Sequence, residues 1–336
     1  MAKATTQIRV GGMVGVLALT IGLGASTAAS AGGSGRGLAL FPASFVASVS
    51  GARGSFGLAV FSASDGHLRR WLLHSAHGPL PVAVSPGGRW VYYFDALTSP
   101  GGRCPRTGFA EPVLWRVRAI GGRPQRTGLR TTDIAFSPDG QMVAYASVRR
   151  CGRILLAVVR DRRTGSLRKI VLDRNAPTTF APDFLPVLSW APDDEHLAIG
   201  LSRTPVLSSV FVVNARQATS IPRRPPIRPC AGRITVCLDP GFDLHSRLTF
   251  LRFNNQVGSR ESVARWRHGR LTRLLTLTND ESAFMTASMA ADRAGTAVLI
   301  QGGQHVVKIW RWSGRPAVLV LRSSAAQTVF GPLWLP

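Results

Sequence analysis

Three segments of this chain repeat one pattern: Val82-Ala-Val-Ser-Pro-Gly-Gly-Arg-Trp-Val91, Ile134-Ala-Phe-Ser-Pro-Asp-Gly-Gln-Met-Val143 and Leu188-Ser-Trp-Ala-Pro-Asp-Asp-Glu-His-Leu197. Ser85 to Ser137 is 52 residues and Ser137 to Ala191 is 54, the period of a four-stranded blade rather than of a helical repeat. A repeat of this length cannot bury its apolar faces alone, so the chain must stack copies of it around a shared core.

Within each copy a β-branched or aromatic stretch runs into Ser/Ala-Pro, then a Gly/Asp pair, then a second apolar stretch. Pro fixes φ and cannot donate to a ladder, while Asp-Gly takes the backbone conformations of a tight reversal. Each motif is thus a hairpin of strands A and B. Strands C are predicted at Val113–Val117, Ile154–Val159, Val210–Val213, Val263–Trp266 and Val306–Trp312, each turning into a strand D at Gly121-Gly122, Arg163-Thr164-Gly165, Asn214-Ala215, His268-Gly269 and Ser313-Gly314. Gly57–Phe61 turning at Asp65-Gly66 into His67–Leu73 is a sixth C/D pair. Two A/B hairpins are degenerate: Met289–Ile300 keeps Asp292 and Gly295 without Pro, and the copy between Ile234 and Phe253 is interrupted by Asp239-Pro240-Gly241.

The first C/D pair has a plausible strand B near Phe45–Val49 but no good strand A. Trp334-Leu335-Pro336 at the other end aligns with Trp190-Ala191-Pro192, so the chain stops where a strand A stops. The expected fold is an all-β, six-bladed β-propeller of four-stranded antiparallel blades, closed by a C-terminal strand joining the N-terminal blade. Closure removes the open sheet edge between first and last repeats. Residues 1–31, with Lys3 and Arg9, an apolar run from Gly11 to Gly24 and Ala29-Ser30-Ala31 before Gly32, have the layout of a signal peptide. Residues 32–37 read as a flexible linker and 38–336 as the propeller.

The phrase Ile134-Ala-Phe-Ser-Pro-Asp-Gly-Gln-Met-Val-Ala-Tyr-Ala-Ser147, with its relatives around Ser85 and Ala191, resembles the TolB-like family of six-bladed propellers, also described as WD-repeat-like. The resemblance covers residues 38–336 and lacks the N-terminal α/β domain of the TolB protein. It implies the architecture and says little of function, since the matching residues make turns and pack blades. No Trp-Asp dipeptide occurs.

In a propeller the D-to-A and B-to-C connections share one end, which here gathers the long loops 95–112, 148–153, 174–186, 201–208, 214–243, 254–261 and 301–305. Loops over a rigid scaffold are where binding concentrates. Four cysteines in an exported chain favour disulfides, and the blade layout predicts Cys104 with Cys151 and Cys230 with Cys237. Net charge is +24, a field that attracts polyanions such as nucleic acid, teichoic acid or anionic headgroups. Arg103, Arg149, Arg150, Arg203, Arg223, Arg224 and Arg228 on the long-loop end are the candidate ligand-binding residues. Arg123, Arg126, Arg162, Arg163, Arg168, Arg267, Arg270 and Arg315 fall at the opposite turns, so compositional drift toward Arg, 38 against 3 Lys, also explains the charge.

His67, His74 and His77, and Asp193-Asp194-Glu195-His196, carry titratable groups but read as surface histidines and turn formers. No nucleophile elbow, zincin helix, phosphate loop or calcium loop is present. The eight Trp mostly fall in predicted strands, where they pack blades. The expectation is a secreted or envelope-associated, non-catalytic, monomeric propeller with no cofactor and no metal, not inserted in a membrane once its signal is cleaved. Its partner is an unidentified protein, peptide or anionic envelope polymer, ahead of nucleic acid. The alternative is a channel-based hydrolase or lyase acting on an envelope polysaccharide.

Overall fold

A computed structural model describes residues 43–51, 55–95, 112–149, 154–174, 186–204, 207–222, 235–254, 262–277, 288–292, 296–302, 306–311, 318–322 and 328–335. These form strands only, in six antiparallel sheets arranged as a propeller ring. The first blade holds β1 (Ser44–Ser50), β2 (Phe56–Ser62) and β3 (Leu68–Ser75), and the second β4 (Pro79–Val84), β5 (Trp90–Asp95), β6 (Val113–Arg118) and β7 (Gln125–Arg130). The third holds β8 (Ile134–Phe136), β9 (Met142–Arg149), β10 (Ile154–Asp161) and β11 (Leu167–Asp173), and the fourth β12 (Val187–Trp190), β13 (His196–Thr204) and β14 (Leu207–Asn214). The fifth holds β15 (Thr235–Phe242), β16 (Leu248–Asn254), β17 (Ser262–Arg267) and β18 (Arg270–Thr276). The sixth holds β19 (Ser288–Ala291), β20 (Ala297–Gly302), β21 (Val306–Arg311) and β22 (Val318–Arg322). The last strand, β23 (Thr328–Leu335), returns to the first blade in the order β23-β1-β2-β3.

Position in the blade dictates composition. A middle strand has a neighbouring blade on each face, so it is apolar throughout rather than alternating; β1 and β2 read SFVASVS and FGLAVFS with nearly every residue buried. Outermost strands meet water, and β7, QRTGLR, alternates exposed and half-buried residues. The cores lie between blades. Phe45 and Phe61 stack at 5.3 Å within a cluster that also takes Leu299 and Ile309 of the sixth blade, while Val46, Leu58 and Val60 face Val84, Val91 and Val117 of the second. Burying one such side chain stabilises by about 1.5 to 3 kcal/mol.

The hairpin motif works through one residue just past strand A. Its amide donates to the carbonyl that opens strand B in five blades: Ser85 to Trp90, Ser137 to Met142, Ala191 to His196, Asp243 to Arg247 and Asp292 to Ala297. Where the side chain is polar it closes the turn a second time. Ser85 and Ser137 Oγ accept from Trp90 and Met142 N–H, and Asp243 and Asp292 Oδ1 accept from Arg247 and Ala297 N–H. Asp292 therefore replaces the lost Pro of the sixth copy with hydrogen bonds. Gly140 takes φ +71° and a Cβ there would lie 2.5 Å from Pro86 of the preceding blade, so the turn needs Gly both for its backbone and for its neighbour.

The ring closes as expected, by the C-terminal strand joining the first blade, with Phe45 facing Trp334 and Val46 facing Leu333 across β1 and β23. The alignment of Trp334 with Trp190 has a physical counterpart. Trp190 Nε1–H donates to the Ala135 carbonyl at 3.1 Å, and Trp334 Nε1–H to the Ala290 carbonyl at 3.0 Å. Ala135 and Ala290 each lie two residues before the hairpin residue of the preceding blade.

Three expectations are corrected. The fourth blade has three strands among the described residues, not four. After the turn at Asn214 the chain leaves this blade, and Thr219–Ile221 runs parallel to β11 of the third, Val171 N–H donating to Thr219 O and Ile221 N–H to Val171 O. Ala218 and Ile221 there pack against the core between blades three and four, apolar burial that a strand D at the edge of β14 would forgo. Cys237, expected in a connection, belongs to β15 and is buried. Asp239-Pro240-Gly241 does not interrupt β15 but forms a bulge within it, with Asp239 at φ +46°.

Candidate functional site

The strand bounds separate the two ends of the ring. At one end the connections are tight: 85–89, 137–141, 191–195, 243–247 and 292–296 between strands A and B, and 63–67, 119–124, 162–166 and 268–269 between C and D. At the other lie the long connections 96–112, 174–186, 255–261 and 277–287, together with short ones at 51–55, 76–78, 131–133, 150–153, 205–206, 303–305 and 323–327; 150–153, 205–206 and 303–305, expected among the long loops, are therefore only four, two and three residues. Arg149 ends β9 and Arg203 lies near the end of β13, the B strands that run toward the long connections. Arg103, Arg150, Arg223, Arg224 and Arg228, with Cys104, Cys151 and Cys230, lie outside the described residues. The stretch 214–243 does not belong to one end, since the turn at Asn214 and the hairpin at Asp243 both sit with the tight turns.

The inner wall at the long-connection end carries two carboxyls that the sequence reading passed over. Asp133 and Asp239 each stand four residues before the hairpin residue of their blade, Ser137 and Asp243. Asp133 Oδ2 accepts from Leu188 N–H at 2.6 Å, and Asp239 Oδ2 from Met289 N–H at 3.0 Å. Leu188 and Met289 also match, each three residues before Ala191 and Asp292, so one device recurs: an Asp on an inner strand ties down the inner strand of the next blade. Asp133 Oδ1 further accepts from Ile134 N–H at 2.8 Å.

Burial pushes Asp133 up to about 8; the amides of Leu188 and Ile134 oppose this, and the charge of Asp239 adds to it. Burial likewise raises Asp239 to about 6 against the Met289 amide. Asp133 is buried, while Asp239 keeps some contact with solvent. Two carboxyls raised by burial, Asp133 further by the charge of Asp239, can hold or release protons at the inner wall. The legible signal was Asp-x-x-Phe-(Ser/Asp), shared by Asp133–Ser137 and Asp239–Asp243, which Pro240-Gly241 disguised as a turn.

The other titratable candidates are turn formers or surface groups. Asp193 Oδ1 accepts from Glu195 and His196 N–H, and Asp194 Oδ1 accepts from Asp139 N–H of the preceding blade at 2.8 Å. His74 lies against the Trp71 ring at 4.6 Å, and no three His, Cys, Asp or Glu group as metal ligands among the described residues.

No family model matches the chain, and no curated protein does. Among solved structures it is similar to the Kuenenia stuttgartiensis hydrazine synthase, at 16% identity and TM-score 0.46, over 83% of this chain and 80% of that one. It is also similar to an oligogalacturonate lyase in complex with manganese, at 10% identity and TM-score 0.47, over 80% of this chain and 71% of that one. A further similar chain is the Vibrio parahaemolyticus oligogalacturonate lyase, at 8% identity and TM-score 0.46, over 83% and 80%. The likeness is one of fold alone. A propeller hosts many unrelated activities, so function must be argued from this chain's own residues.

Proposed function

We propose that this protein is an exported recognition propeller of TolB-like type, which binds a protein, peptide or anionic envelope polymer with the long-connection end of its ring. The observation that carries the reading is the asymmetry of the ends: connections of two to six residues at one, most of them closed by hydrogen bonds, whereas the longest connections, 96–112, 174–186 and 277–287, fall at the other among shorter ones. A net charge of +24 supplies long-range attraction to an anionic partner. In this reading Cys104–Cys151 and Cys230–Cys237 pin the long loops, the first pair contributing about 2 to 4 kcal/mol. Intact mass should rise by four hydrogens on reduction, with peptide mapping returning those two pairs.

Hydrogen exchange of the chain from residue 32 onward, with and without poly(glycerol phosphate) as an anionic polymer, tests the surface. Protection is expected at 96–112 and 174–186. Protection confined to the tight turns would contradict the reading. Asp133 and Asp239 favour a second one, a hydrolase or lyase on an envelope polysaccharide, because two carboxyls with separated, raised pKa values are what acid and base chemistry requires. Turnover of acidic polysaccharides that disappears in Asp239→Asn would establish it. Against it stands the engagement of both Asp133 oxygens by backbone amides.

A further inference from the structure

The fourth blade ends on β14, which is paired with β13 on one side and with nothing on the other among the described residues. Such an edge presents a row of backbone donors and acceptors in the geometry of a missing strand. On the side of blade three, Ala218 and Ile221 close the outer margin of the blade. On the side of blade five no described residue does so. A cleft of about 670 Å³ lies there, with Val212 of β14 and Trp266 of β17 on its floor, both only partly buried.

The rim of this cleft is basic. His245 and Arg247 come from the A/B turn of the fifth blade, Arg267 from the end of β17 and His268 from the C/D turn after it, and among the described residues no Asp or Glu lines it. Asp243 beneath is fully buried and bridged by Arg247 at 2.8 Å and Arg265 at 3.1 Å, so one carboxylate answers two guanidiniums and Arg267 adds a third cation. Open edge, apolar floor and cationic rim are contiguous, because Val212 belongs to the edge strand itself.

We propose that β14 and the adjoining cleft form a docking site for an extended acidic peptide strand of a partner protein, which adds to the fourth blade as its outermost strand. Main-chain hydrogen bonds to β14 would supply sequence-independent affinity. Alternate side chains would point into the cleft, apolar ones onto Val212 and Trp266 and Asp or Glu toward Arg267 and His268. The site lies apart from the long-connection end, and its failure leaves that reading untouched.

The test is selection of short random peptides displayed on phage against the full chain. The enriched peptides should alternate β-branched residues with Asp or Glu. A selected peptide should protect from hydrogen exchange the alternate amides of 207–214 that point away from β13, lose binding when its own alternate amides are N-methylated, and bind Arg267→Glu about tenfold more weakly. Arg267 is exposed at a strand end, and an unchanged circular dichroism spectrum will show that the variant folds. Any of these results overturns the proposal: no enrichment, enrichment without acidic residues, tolerance of N-methylation, unchanged affinity for Arg267→Glu, or protection in the free chain of the 207–214 amides that point away from β13, which would mean that the chain covers its own edge. Displacement of the peptide by inorganic phosphate at equal strength would reduce the site to an anion pocket and overturn strand addition.

Discussion

Asp133 shows how one side chain couples two blades and a proton. Its folded pKa, near 8, lies above the ordinary carboxylate value, so the folded state holds a proton that the unfolded chain has released between about pH 4 and 8. Its contribution to stability is therefore full in acid and is lost as pH rises through that window, and Asp239 adds a similar loss ending near pH 6. Urea unfolding at a series of pH values should show stability falling from pH 5 to pH 8, with the fall between 6 and 8 reduced in Asp133→Asn. Asp133→Ala should cost about 1 to 3 kcal/mol at pH 5, because the Leu188 amide is left buried without a partner. Ser137 is a second such point: its Oγ accepts from Met142 N–H and donates to Asp139, and Ser137→Ala should cost about 1 to 2 kcal/mol by the same assay.

At the level of the element, the closing strand carries the largest consequence. β23 is the innermost strand of the first blade, and without it Phe45 and Val46 of β1 lose their cover while an edge opens at the ring's seam. Deletion of residues 326–336 should abolish soluble folding, whereas Trp334→Phe, which loses the indole bond to Ala290 and part of a buried ring, should cost about 1 to 3 kcal/mol. Soluble expression and thermal melting separate the two; a truncated chain that melts like the intact one would rule out closure as a requirement. This strand was legible in sequence because Trp334-Leu335 repeats Trp190-Ala191, and the repeat encodes a contact, an indole reaching the previous blade's carbonyl. That blade four has three strands among the described residues was not legible. Thr219-Ser220-Ile221 has ordinary strand residues after an ordinary Asn-Ala turn, and only the tertiary competition between the edge of β14 and that of β11 decides where they pair. The bulge at Asp239 was hidden for the converse reason, since Asp-Pro-Gly is turn chemistry locally and is kept in β15 by its partners on β16 and by Met289.

Across the molecule, a hydrogen-bonded ring of blades fixes the position of connections without fixing their content. The repeat made the ring readable because every copy must satisfy the same packing; the long connections satisfy no such shared constraint, so neither pattern nor period says what they bind. Charge is the one global property that reaches beyond the ring, and its placement decides between a selected surface and compositional drift. The most direct measurement is the salt dependence of heparin binding by the chain from residue 32 onward in two charge-reversal variants. One carries Glu at Arg149, Arg150 and Arg203, toward the long connections, and the other at Arg123, Arg126 and Arg168, in or beside the opposite turns. The account predicts that the first variant loses affinity and flattens the plot of log affinity against log salt by about three contacts' worth, while the second binds nearly as the parent does. Equal losses in the two variants would contradict it.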